Sequence, residues 1–160
     1  MRLVLVCVGK LKAGPERLLL DRYLKRLKDG VRSVGLTGVE VREIGESRAR
    51  QPDTRRAEEG AAIIAATPKG GALILLDERG SLTTSEEWAA DIGRARDASR
   101  PAYAVAIGGP DGLDSSLGSA ADRVVSFGAM TWSHQLVRVM AGEQLYRAMT
   151  ILAGHPYHRQ

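Results

Sequence analysis

Apolar runs of strand length alternate with amphipathic stretches along the whole chain. Leu3–Val8 is an unbroken run rich in β-branched residues, and Gly9 and Gly14 interrupt it. Unbroken rather than alternating apolarity predicts a strand buried on both faces. Pro15 suits a first helical position, where its missing N–H would be unpaired in any case, and Leu19, Tyr23, Leu24 and Leu27 then recur on one face. Gly30 to Gly38 is a turn-rich link. Val39–Ile44 alternates apolar and charged positions, as a strand with one exposed side does. After the polar, basic loop Gly45–Pro52, Asp53 is placed to cap a helix whose inner stripe is Ala57, Ala61, Ile64 and Ala65. Pro68 and Gly70 end it.

Ala72–Leu76 predicts a further buried strand, ending in Asp77-Glu78-Arg79-Gly80. Thr84-Ser85-Glu86-Glu87 has the spacing of a capping box, in which hydroxyl and carboxylate each bind the other's backbone N–H, and opens a helix to about Asp97. Tyr103–Ile107 is another apolar strand and runs into Gly108-Gly109-Pro110-Asp111-Gly112. A short helix near Ser115–Ala121, a strand at Val124–Phe127 and a long helix over about Ser133–Ala153 complete the pattern. Strands separated by helices need crossover connections, which predicts a single α/β domain over residues 1–160 with a mainly parallel sheet covered on both faces. Such sheets bind ligands beyond the carboxyl ends of their strands. That directs attention to the segments after Leu76, Ile107 and Phe127.

Composition adds limits. A chain of 160 residues with 44% apolar content can bury one substantial core. No apolar run approaches the roughly 20 residues of a membrane span, and the first strand lacks the length and small-residue cleavage site of a leader. The single cysteine, Cys7, cannot form an intramolecular disulfide and suits a reducing, cytoplasmic setting. Its place in an apolar strand reads as an inert core thiol. The net charge of +4 is uneven: residues 1–60 and 123–160 are basic, and 61–122 are acidic. Two basic ends favour a polyanionic partner if they meet in space.

The glycine loop is the first candidate site. It reads either as a tight strand-to-helix turn or as a place where a ligand approaches the main chain. No G-x-x-x-x-G-K-[ST] cradle and no G-x-G-x-x-G after the first strand is present, which argues against a nucleoside triphosphate or a dinucleotide. His134, His155, His158 and Cys7 lack familiar metal-ligand spacing, and there is no G-x-S-x-G elbow, so neither a metal nor a serine hydrolase is expected. In the closing helix Ser133 is placed as a cap, and His134 and Arg138, four apart, share a face. Glu143 and Arg147 have the order and spacing of an intrahelical ion pair, while Leu136, Val137, Met140, Leu145 and Met149 are core or interface positions. The ending His155-Pro156-Tyr157-His158-Arg159-Gln160 is either a solvated tail or a cluster able to stack on a base and contact phosphate.

At these residues the chain resembles the RlmH family, the SPOUT-class pseudouridine-N3 methyltransferases of large-subunit (23S) rRNA. The likeness runs through Val8-Gly9-Lys10-Leu11-Lys12, Tyr23-Leu24-Lys25-Arg26-Leu27, Leu76 to Gly80, and Ile107 to Leu113. It is most specific over Ser126 to Arg138, Glu143 to Ala148 and Pro156-Tyr157-His158. The family often has proline before the histidine, where this chain has Ser133. The resemblance implies a SPOUT fold with a C-terminal trefoil knot and a methyl donor, S-adenosyl-L-methionine, lined by Leu76, Gly108, Phe127, Gly128, Ala129, Met130, Thr131 and Trp132. It implies a homodimer whose second subunit helps to form the RNA site. The implied substrate is N3 of a pseudouridine in an rRNA hairpin on the assembled ribosome. On the substrate side it suggests His134, with Arg138 for the imide anion and phosphates, Tyr157 to position the base and His158 as proton acceptor. Lys10, Lys12, Lys25 and Arg159 would meet rRNA phosphates. Two other readings stand beside it: a ribosome-associated rRNA-binding protein without catalysis, and a SPOUT methyltransferase acting on another RNA.

Overall fold

The computed structural model describes residues 1–158. Strands β1 (Arg2–Val8), β2 (Gly38–Ile44), β3 (Ala72–Leu82), β4 (Ala102–Ile107) and β5 (Arg123–Ser126) form one sheet in the order β2-β1-β4-β3-β5. Every pairing in it is parallel, as the crossovers require. The connections carry helices α1 (Pro15–Gly30), α2 (Pro52–Ala66), α3 (Ser85–Asp97) and α4 (Leu117–Ala120), and α5 (His134–Leu152) closes the chain. This is the expected α/β architecture.

The unbroken apolar run of β1 now has its cause. Leu3, Leu5 and Cys7 face a core built with α1, α3 and α5, while Val4, Val6 and Val8 face a second core with Ile63 of α2, Leu113 and Leu117. Burial pushes the Cys7 thiol up to about 12, as for an inert core residue. The alternating strand β2 lies at the sheet edge and is half-buried throughout. At α3 the capping box forms: Thr84 Oγ1 accepts from the Glu87 N–H at 3.1 Å, and Glu87 Oε2 accepts from the Thr84 N–H at 3.0 Å. Ser133 caps α5 through the Leu136 N–H.

Local expectations are corrected in three elements. Helix α2 begins at Pro52 with Gln51 in the capping position, so Asp53 lies inside the first turn, where its charge still complements the helix dipole. Its buried face is Glu59, Gly60 and Ile63, and Ala57, Ala61, Ile64 and Ala65 are exposed. In α1 it is Leu20, with Leu24 and Leu27, that is buried, and Leu19 is partly exposed. Strand β3 does not stop at Leu76. Both Leu76 and Ser81 align with Val125 of β5, so residues 77–80 bulge out and the strand then resumes. Gly80 permits the return, because a Cβ there would sit 2.6 Å from the Val125 carbonyl carbon. Among the described residues no helix is long and apolar enough to cross a membrane.

Candidate active site

The carboxyl ends of β3, β4 and β5 meet around a cleft of about 890 Å³. Its walls are Leu76 to Arg79, Ile107 to Ser115 and Val125 to His134 except Ala129, with Val137, Asp53 and Arg56 at the margin. All three strand-end segments singled out in the sequence therefore converge. Of the eight expected lining residues, seven are in the walls, and Ala129 instead points to solvent. Met130 and Trp132 are partly exposed at the mouth.

The glycine loop makes the floor. Gly112 N–H donates to the Gly109 carbonyl at 3.0 Å, folding the loop back so that a Cβ on Gly108 would lie 2.9 Å from the Gly112 carbonyl. A bound molecule therefore faces main chain here rather than side chain. Ser126 Oγ donates to the Gly128 carbonyl at 3.0 Å and accepts from its N–H at 3.1 Å, which sets the turn after β5. Phe127 packs on Trp88 of α3 with ring centroids 5.9 Å apart. Thr131 Oγ1 meets Glu78 Oε2 at 3.3 Å, joining two walls.

Carboxylates crowd the cleft: Asp53, Asp77, Glu78, Asp111 and Asp114 stand against Arg56 and Arg79. Hydrogen bonding to Arg79 holds Asp77 below the usual carboxylate range, and Arg55 does the same for Asp111. Arg55 donates from Nε and Nη2 to the two Asp111 oxygens at 2.6 and 3.1 Å, locking α2 to the glycine loop. The sequence showed these carboxylates only as parts of loops or, for Asp53, as a helix cap. Their common destination depends on strands far apart in the chain.

The substrate-side candidates are divided. His134 lines the cleft. Arg138, on the same helix face, is only 1% exposed and turns beneath β1 instead. Its guanidinium donates to the carbonyls of Val8 and Gly9 and, at 3.3 Å, to Glu43 Oε1, which also accepts from the Leu11 N–H at 2.8 Å. In the single chain the Nη1 and Nη2 donors of Arg138 serve Glu43 and the end of β1, and Arg138 is not among the residues that line the cleft.

Tyr157 and His158 fold back along α5. The Tyr157 hydroxyl donates to Glu143 Oε1 at 3.1 Å, and the same oxygen takes Arg147 Nη2 at 2.7 Å, confirming the intrahelical pair. Arg147 lies 5.0 Å from the Tyr157 ring centroid, a cation–π contact. Burial and the Glu143 charge push the Tyr157 phenol up to about 12. His158 Nε2 is 2.7 Å from Glu86 Oε1 at the start of α3. Nine residues of helix separate His134 from Glu143, a rise of about 13 Å, and Glu143, Arg147, Tyr157 and His158 are not among the residues that line the cleft. Lys10, Lys12 and Lys25 are exposed. Arg159 lies outside the described residues. Glu143 as acceptor for Tyr157 had no signal in the sequence beyond its pairing with Arg147.

The family model described as "Predicted SPOUT methyltransferase" matches residues 1–158. The chain belongs to the SPOUT methyltransferase family. Within it, the chain is 55% identical over 159 residues to the ribosomal RNA large subunit methyltransferase H of Methylocella silvestris, covering 99% of each chain. It is 57% identical over 159 residues to the protein of that name from Rhodopseudomonas palustris, again covering 99% of each. Among solved structures, the SpoU methyltransferase AviRb from Streptomyces viridochromogenes, in complex with the cofactor AdoMet, aligns with 92% of this chain and 59% of its own. That alignment has a TM-score of 0.40 and 15% identity.

Proposed function

We propose that this chain transfers a methyl group from S-adenosyl-L-methionine to N3 of a pseudouridine in large-subunit rRNA, on the assembled ribosome in the cytoplasm. The observation that carries the reading is the cleft into which the ends of β3, β4 and β5 converge. The residues present fit the donor. The cleft falls within the volume range of small-molecule sites, its floor offers main-chain groups to a nucleoside, and its carboxylates suit a cationic sulfonium. The names of the relatives support rRNA as substrate.

The donor supplies an activated methyl group on sulfur. What remains for the protein is alignment, which alone can supply a large part of a rate enhancement. Gly108 to Gly112 and Phe127 to Trp132 would hold and orient the donor, with Ser126 fixing the second segment. His134 stands in the cleft wall and would meet the incoming base. Arg138 would act as a positioning residue, pinning the start of α5, and with it His134, to the end of β1. The base needs a deprotonated N3, so a proton acceptor and a cationic neighbour are required. Tyr157, His158 and Arg147 form a group of that kind, at a distance from their own cleft.

A homodimer resolves that separation, with the tail of one copy serving the cleft of the other. Leu18, Leu19 and Leu136 on the outer faces of α1 and α5, and Trp132 at the cleft mouth, leave exposed apolar surface for such a contact. The C-terminal trefoil knot implied by the family belongs to the same proposal.

The test is donor-dependent methylation of ribosomes from a strain lacking the modification, followed by mapping of the product. One methyl at N3 of one large-subunit pseudouridine is expected. Transfer to another nucleotide would reject the substrate, and no transfer with the donor bound would reject catalysis.

A further inference from the structure

The carboxyl edge of the sheet is divided by charge. The ends of β3, β4 and β5 enclose the carboxylate-rich cleft, whereas those of β1 and β2 carry exposed cations. Lys10 and Lys12 follow β1, and Arg48 and Arg50 follow β2 in the loop 45–51. The two loops touch: Gly9 N–H donates to the Ile44 carbonyl at 2.7 Å, and Gly9 lies against the Glu46 side chain.

The loop 45–51 is held rigidly. Ser47 N–H donates to buried Glu59 at 2.9 Å, the Ser47 hydroxyl binds Glu58, and the Ala49 N–H donates to Ser47 Oγ at 3.1 Å. Arg55 Nη1 donates to the carbonyls of both Ala49 and Arg50 at 3.0 Å while its other nitrogens grip Asp111. One side chain therefore ties the basic loop to the floor loop of the cleft. Nearby carboxylates are already engaged: Asp111 by Arg55, Asp53 by Arg56 and Glu58 by Ser47, leaving exposed Glu46. Among the described residues neither Arg48 nor Arg50 enters an ion pair, and both are exposed.

Guanidinium groups carried on an anchored loop beside a site suit a phosphate backbone, because the loop backbone is fixed before the partner arrives. An acidic cleft would repel that same backbone, so the polymer has to be gripped next to the cleft rather than in it. We propose that the loop 45–51, through Arg48 and Arg50 with Lys10 and Lys12 beside them, is a docking ridge for the phosphates of the RNA that carries the substrate nucleotide. This rests on the proposed RNA substrate. It assigns the grip to a loop that the resemblance did not single out, and sets it apart from Lys25 on α1.

The test is ribosome co-sedimentation across a salt series, with S-adenosyl-L-methionine present, for wild type and the double variant Arg48→Gln/Arg50→Gln. A control carries the same charge loss at the opposite edge of the sheet, Lys28→Gln/Lys69→Gln. Losing two phosphate contacts should lower the slope of log affinity against log salt by about 1.4 to 1.8, weaken binding at least tenfold at the lowest salt, and leave calorimetric donor binding unchanged. The control should match wild type. An unchanged slope, an equal loss in the control, or no ribosome binding by wild type would overturn the ridge. Because this measures binding alone, a catalytically silent wild type that still bound through Arg48 and Arg50 would fault the methylation reading and spare the ridge.

Discussion

At the residue scale, close backbone approaches give the sharpest expectations. Alanine at Gly108 places a methyl group against the Gly112 carbonyl, so the floor of the cleft must shift. Gly108→Ala should therefore weaken donor binding by at least tenfold in calorimetry while the protein stays folded; unchanged affinity would remove the glycine loop from the site. Gly80→Ala meets the backbone of Val124 and Val125 inside a strand pairing and should cost about 1–3 kcal/mol in denaturant unfolding. Cys7 offers a pH test. Its thiol is held near 12 in the fold against an ordinary value of 9.0. The unfolded chain thus loses that proton first as pH rises. The contribution is complete below about 9 and is lost between about 9 and 12, so Cys7→Ala should show a shallower alkaline fall in Tm. Residue identity alone pointed to the strand-end segments that line the cleft, although a glycine loop of this kind reads equally as a tight turn. It could not place Arg138, because a guanidinium looks the same in sequence whether it meets substrate or two carbonyls under a strand.

At the element scale, periodicity fixed the number, order and type of segments, and it failed on phase. In α2 the apolar side chains Ala57, Ala61, Ile64 and Ala65 form a stripe that hydrophobicity places inward, yet the helix turns Glu59, Gly60 and Ile63 to the sheet. The reason is a polar job at a buried position. Glu59 Oε1 accepts the Ser47 N–H, and Gly60 beside it faces Leu117. A pattern rule scores both as outward residues. The two isoleucines give a clean contrast. Ile63 is fully buried and Ile64 is 50% exposed. Ile63→Ala should cost about 2–5 kcal/mol in urea unfolding, and Ile64→Ala should stay within about 0.5 kcal/mol. Equal losses would restore the original phase. The bulge in β3 was illegible for a different reason: Ser81 and Leu82 rejoin the sheet only because β5, more than forty residues later, offers a partner.

At the scale of the whole molecule, the sequence revealed a charge imbalance without its geometry. The fold turns it into an acidic cleft beside basic loops, which separates a small cation from a polyanion along one sheet edge. It also sets the His134 end of α5 about half a turn short of three helical turns from Glu143, the partner of Tyr157 and Arg147. In the proposed dimer, a second copy related by a two-fold axis would supply each cleft with a tail. Mixing tests this directly. Gly108→Ala damages the cleft and Tyr157→Ala the tail, so each variant alone should methylate ribosomes poorly. After unfolding and joint refolding at equal concentration, half of the dimers are mixed, and each mixed dimer has one intact pairing of cleft and tail. Activity should then return to about a quarter of wild type, as two-fold symmetry dictates. If cleft and tail worked within one chain, every chain in the mixture would carry a defect, and activity would stay at the level of the separate variants.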